Sequence, residues 1–318
     1  MKKVLLTGVA MMAISAASAQ LNETSVMQTG NYSQASADQK GLYNTAVFMQ
    51  NGNGVSGSQT NRAQINQQGA GTASNYNYGQ ANQTGNGHTI RLTQLGDASS
   101  NYARFTQTQA NATASATQSG FSNFIESTQR SIDNTSVEAT IDQKGNRNIV
   151  NISGQTDVIV LEGGTTAFIM QMGNDNLVFL RQNGDANVAS VGQVGNFSDA
   201  TVRQSGVLNK MVVNQTGVGS TSVRFNLVNI DQNGRRGDIR ATQTGSDNRI
   251  RLFTDGDFNT ANMSQSGTGH VVRGNSGAFA RQDGNSNSLT TTQNGSNQTV
   301  FSNQVGNNNS AFTVQNNQ

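Results

Sequence analysis

Two histidines, a few isolated carboxylates and an unusual density of side-chain amides are the groups in this sequence that could do chemistry. A metal site needs several converging ligands. His88 and His270 have no Cys for company, and each stands where Asn stands elsewhere in the chain, so both read as substituted members of a repeat. Glu138 and Glu162 are isolated, whereas glycoside hydrolysis needs two carboxylates flanking the scissile bond. Gly163-Gly164 lacks the Lys-Ser/Thr of a phosphate loop and reads as a turn. The dense Gly-Gly-x-Gly-x-Asp repeat of calcium-binding solenoids is absent from the sequence. The Tyr and Phe residues are scattered and suit turn or surface contacts better than platforms for bases. No catalytic, cofactor-binding or metal-binding residue is expected. What remains is hydrogen bonding: 42 Asn and 32 Gln place an amide on 74 of 318 side chains.

The elements that would position those amides come after a leader. Met1-Lys2-Lys3 is a positive start, Val4 to Ile14 is a mostly apolar run, and Ala17-Ser18-Ala19 is a small-residue cleavage site. Residues 1–19 therefore read as a secretory signal peptide and 20–318 as the mature, extracytoplasmic chain. No other stretch approaches the length of a transmembrane helix, so no membrane insertion is expected. The net charge of +2, with Arg and Asp interspersed, gives no footprint for nucleic acid, and none is required. Absence of Cys excludes disulfides and a lipid-anchored Cys. A chain with 33% hydrophobic residues and this many amides could be disordered. Order within the sequence argues otherwise.

The order is a repeat marked by Gln-x-Gly, most often eleven residues long. It appears at Gln28-Gly30, Gln39-Gly41, Gln83-Gly85, Gln94-Gly96, Gln118-Gly120 and Gln143-Gly145. It then runs through Gln171-Gly173, Gln182-Gly184, Gln193-Gly195, Gln204-Gly206 and Gln215-Gly217. Later copies stand at Gln232, Gln243-Gly245, Gln265, Gln282, Gln293-Gly295 and Gln304-Gly306. Five residues after each Gln an Asn recurs, then small or aliphatic residues at seven and nine, then Gln again. Asn44 after Gln39 leads to Gln50, and Asn248 follows Gln243. The pattern is full in Asn176-Val178-Leu180-Gln182, Asn187-Ala189-Val191-Gln193, Asn209-Met211-Val213-Gln215 and Asn309-Ala311-Thr313-Gln315. These positions share parity and would project from one face of a strand. Arg181, Asp199, Arg203, Lys210, Asp238, Arg240, Arg249 and Arg251 all have the opposite parity, as a half-buried strand requires.

Where the spacing lengthens, Asn61-Ala63-Ile65-Gln67, Asn101-Ala103-Phe105-Gln107, Asn226-Val228-Ile230-Gln232 and Ser276-Ala278-Ala280-Gln282 keep the strand pattern. Extra residues are therefore expected in turns and never in strands. The stretch Asp157 to Gly164 lacks Gln markers, and its register is not placed. The fold expected is all-β: a two-sided, cross-β β-solenoid with strand-turn-strand coils of about 22 residues. Roughly twelve coils at about 4.8 Å each would rise on the order of 58 Å. Glycines such as Gly30, Gly41, Gly173 and Gly184 would open the turns.

In such a coil the inner Gln and Asn side chains would stack into amide ladders. An unpartnered buried amide costs roughly 1–3 kcal/mol, so a ladder demands uniform register. Aliphatic residues between the amides would fill the core. The strand pattern begins with Asn22-Thr24-Val26-Gln28 and stops with Asn309-Ala311-Thr313-Gln315, without the capping repeats of soluble solenoids. Open end strands template pairing, so a homopolymer growing end to end is expected.

On the residues Gln39-Lys40-Gly41-Leu42-Tyr43-Asn44-Thr45-Ala46, continuing to Gln50, the chain resembles the curlin repeats of bacterial curli subunits. Gln182 to Gln193 and Gln304 to Gln315 carry the same pattern. The resemblance implies extracellular amyloid fibres of a biofilm matrix that serve adhesion and cell aggregation. It also implies a nucleator subunit, periplasmic chaperones and an outer-membrane secretion channel. The non-repetitive segment that usually addresses family members to the channel is not evident, because the repeats start soon after the leader. Two other classes stand beside this one. A monomeric adhesin or ice- or surface-binding solenoid would need a flat face of Thr-x-Thr rows, at which only Thr290-Thr292 hints. A polysaccharide-processing β-helix would need a charged cluster in a groove.

Overall fold

A computed structural model describes residues 13–14, 22–53, 60–70, 76–96, 100–130, 136–150, 159–162, 164–218, 226–274 and 278–317. Among these residues there is no helix, and every strand pairing is parallel. The strands form two sheets of 13 and 15 strands, visited alternately by the chain. The smaller sheet has twelve levels once the two-residue bridge Ala13–Ile14 is set aside. The larger also has twelve, because three of its levels are each split into two short strands. The molecule is a two-sided parallel β-solenoid, the architecture read from the sequence.

The period-two pattern is what closes the coil. In Val188–Asn196 the inner residues Ala189, Val191 and Gln193 are buried while Val188, Ser190 and Gly192 are not. Consecutive levels stack like on like: Ala189 pairs with Ala167 and Met211, and Gln193 with Gln171 and Gln215. One apolar core runs along the axis between the sheets, from Ala35 to Val300. Outside the larger sheet, Tyr78, Tyr102 and Phe124 stack with ring centroids 5.0 and 4.9 Å apart.

The rule that strands never lengthen needs correction at two levels. Ile149–Val150 and Ile159–Glu162 together make one level, each pairing in register with the strand Phe124–Arg130. Residues 151–158, between the two in sequence, lie outside the described residues. That pairing also sets the register left open by the sequence, since Leu161 takes the place of a ladder Gln between Gln129 and Gln182. Asp157 lies outside the described residues. The second case is Val271–Arg273 with Ala280–Asp283. Val272, not Ala278, is the buried residue there; Ala278 is exposed, and Ser276 lies outside the described residues. The continuous strand Arg249–Asp255 satisfies both stubs on one side and the short strands Thr299–Phe301 and Asn303–Val305 on the other, and Gly274 donates its N–H to the Ala278 carbonyl at 2.8 Å. A strand in mid-stack can therefore be interrupted without losing its ladder.

Within the segment read as a leader, Ala13–Ile14 pairs with Ser36–Ala37.

Candidate functional site

The inward amides are the chemical feature of this fold. In the smaller sheet, Gln39, Gln67, Gln94, Gln118, Gln143, Gln171, Gln193, Gln215, Gln243, Gln265, Gln293 and Gln315 stand in one column. Each donates Nε2–H to the Oε1 of the next at 2.8–3.0 Å. Every bond points toward the C-terminal end, so the column has a direction. The second amide hydrogen ties the column to the facing sheet: Gln193 donates to the Leu177 carbonyl at 2.9 Å and Gln243 to that of Leu227 at 3.1 Å. From Gln94 to Gln293 these side chains are essentially fully buried, which the pairing makes tolerable.

The larger sheet carries a second column with two gaps. Gln28, Gln50, Gln83, Gln107 and Gln129 bond in sequence at 2.6–3.0 Å. Leu161 then takes a Gln place. Gln182 and Gln204 lie 2.8 Å apart, Gln204 donates to Gln232 at 3.1 Å, and Gln282 donates to Gln304 at 2.9 Å. Thr254 fills the place between Gln232 and Gln282.

Asparagine performs a different task at the strand entrances. Its Oδ1 accepts the backbone N–H of the residue one level on, while Nδ2 caps nearby turn carbonyls. Asn209 N–H donates to Asn187 Oδ1 at 3.0 Å, and Asn187 Nδ2 donates to the Asn183 and Gly206 carbonyls at 3.1 and 2.9 Å. In the larger sheet Asn176 and Asn248 Oδ1 accept the Ser198 and His270 N–H groups, both at 3.1 Å, and Asn44 donates its own N–H to Asn22 Oδ1; Asn309 N–H donates to Asn287 Oδ1 and closes the column of the smaller sheet. Gln129, Asn77, Asn123 and Asn148 belong to the same columns but were not singled out from the sequence. Gln129 has no Gly two residues later; the parity series Asn123-Ile125-Ser127-Gln129 was the available signal.

His88 and His270 sit in the Asn columns, fully buried. His88 Nε2 faces the Thr84 carbonyl at 3.1 Å and its Nδ1 faces the Ala112 N–H at 3.3 Å. Burial lowers the pKa of His88 below the ordinary imidazole value. His270 repeats the geometry, with the Ser266 carbonyl at 3.1 Å and the Gln298 N–H at 3.4 Å.

The nine turn glycines named from the sequence, Gly30, Gly41, Gly173, Gly184, Gly195, Gly206, Gly245, Gly295 and Gly306, all have φ between 93° and 120°. Close stacking adds a second demand: a Cβ on Gly195 would run into the Gly217 carbonyl one level on.

Fold and columns together define a parallel amide-laddered β-solenoid. Residues 173–206, from one such turn to another, match the family model of the curlin associated repeat. The chain resembles the curlin-repeat family. The matched stretch pairs in register with levels outside it, as where Gln182 and Gln204 lead on to Gln232, so the same pattern recurs beyond the match. No curated protein matches the sequence.

Proposed function

We propose that this protein is a structural subunit that assembles head to tail into extracellular, curli-like amyloid fibres of a biofilm matrix, serving adhesion and cell aggregation. It is not an enzyme in this reading and needs no cofactor. The observation that carries it is the one-directional column from Gln39 to Gln315, in which each step repeats the chemistry of the last. A further step can come from a second copy, because the chain alternates between sheets without a phase break. Ser310–Asn316 pairs on one side with Ser288–Ser296. An incoming copy would set its Gln28 on Gln304 and its Gln39 on Gln315, continuing both columns. Like ends are mismatched, since two C-terminal ends would set donors against donors and two N-terminal ends acceptors against acceptors.

Export would proceed with loss of residues 1–19, which takes Ala13–Ile14 off the Ser36–Ala37 edge and opens that strand to the incoming copy. Periplasmic chaperones, an outer-membrane channel and a nucleator subunit belong to the same reading. A flat Thr-rich binding face gains no support, because Thr290 and Thr292 lie beside Asn262, Ser264, Phe312 and Val314.

The test is fibre diffraction on the chain freed of residues 1–19 and released from denaturant without seeds. The expected result is a reflection near 4.7–4.8 Å along the fibre and one near 10 Å across it. A monodisperse folded monomer would overturn the proposal.

A further inference from the structure

The Asn columns work because an amide is a donor on one side and an acceptor on the other at every pH. A histidine can copy that role only while neutral. At His88 the carbonyl of Thr84 requires a hydrogen on Nε2, and the N–H of Ala112 requires a bare Nδ1. At His270 the carbonyl of Ser266 and the N–H of Gln298 impose the same tautomer. Protonation would put an N–H on Nδ1 pointing at a backbone N–H, inside a site with no exposed surface.

We infer that His88 is an acid-labile step in the stacking of coils, so that protonating it opposes closure of the solenoid at that level. The two histidines lie in different columns, His88 at the entrance to Thr89–Leu95 in the smaller sheet and His270 at the entrance to Val271–Arg273 in the larger. Around His88 the facing groups are Asn61 from the level before, the Thr84 and Gln109 carbonyls, and the Asn111–Ala112 backbone of the level after, none of them titratable. Around His270 they are Asn248, the Ser266 carbonyl and Gln298. No carboxylate among these partners offsets an imidazolium charge. As pH falls below about 6.5, the unfolded chain takes up a proton that the folded His88 refuses, and its contribution to the folding equilibrium drops by up to about tenfold per pH unit.

The consequence for fibres rests on the proposed assembly; the consequence for coil closure does not, and the test separates them. The protein and its His88→Asn variant are released from denaturant between about pH 4.5 and 7.5. β-sheet circular dichroism reports folding and electron microscopy reports fibres in the same samples. Asn is the native residue of this column, so the variant keeps the fold. The expected result is that the wild-type folding equilibrium falls at least about tenfold further than the variant's between pH 7 and 5. Coincident pH profiles would overturn the inference. Folding that shifts as expected without fibres at any pH would count against the fibre proposal alone. Imidazole nitrogen shifts give a second check: a doubly protonated His88 ring in intact solenoid at about pH 5 would also overturn it.

Discussion

Gln232 and Gln282 stand two levels apart in one amide column, with Thr254 between them. Three buried atoms are left without a partner there: Gln232 Nε2, Thr254 Oγ1 and Gln282 Oε1. A threonine is too short to bridge levels that glutamine spans elsewhere.

Replacing Thr254→Gln should therefore stabilise the protein, since neighbouring levels hold Gln at the same place. Pairing the amides of Gln232 and Gln282 removes a desolvation cost of about 1–3 kcal/mol. The expected outcome is a higher denaturation midpoint with an unchanged slope. A lower midpoint would mean that the gap is packed around Thr254 rather than left by it.

The opposite experiment removes an amide from the unbroken column. Gln193→Ala deprives Gln171 of its acceptor and Gln215 of its donor at a site with no exposed surface. A loss of about 3 kcal/mol is expected. Gln193→Asn should not rescue it, because the shorter side chain cannot reach either neighbour. Equilibrium denaturation of the three proteins, with fibre formation followed in parallel, checks this.

How far the sequence could be read is visible in these columns. Asn187, Ala189, Val191 and Gln193 share parity, and the structure buries all four. Parity misled where it could be met in two ways. Ala278 and Val272 both fit the inner position before Ala280, and sequence proximity favoured the wrong one. Pairing on both sides decided for Val272, information that resides in Ile250 and Val300 rather than in the local segment. The empty step at Thr254 was legible in principle, because Thr254-Asp255-Gly256 keeps the turn glycine without its Gln. The role of the histidines was not: a substituted ladder position was evident, but a tautomer follows from the atoms faced by Nδ1 and Nε2.

The turns carry strain that can be moved in either direction. Ala186 and Phe197 have φ of 52° and 56°, the left-handed region that a Cβ disfavours. Ala186→Gly should gain about 0.5–1 kcal/mol, the relief being offset by the greater freedom of glycine when unfolded. Gly195→Ala should lose about 2–3 kcal/mol, because its φ of 120° is unsuited to alanine and its Cβ meets the Gly217 carbonyl. Midpoints shifting in the same direction in both variants would contradict this account of the turn.

Asp199 makes the stability of the protein depend on pH with the sign opposite to that of His88. It lies on the outer face between Leu177 and Leu227 of the adjoining levels, and its Oδ1 has no hydrogen-bond partner. Burial raises its pKa to about 6. A carboxyl raised in the folded state favours folding while protonated, so its contribution is complete below about pH 4 and is lost as pH rises through about 6. The gap of about two units corresponds to about 3 kcal/mol by neutral pH. Asp199→Asn keeps the shape and removes the charge. The variant should be more stable than the parent by up to about that amount at pH 7, and nearly equal to it near pH 4. Because His88 is common to both proteins, subtracting one stability curve from the other isolates Asp199. A difference that does not change with pH would assign the effect to packing rather than to the buried carboxylate.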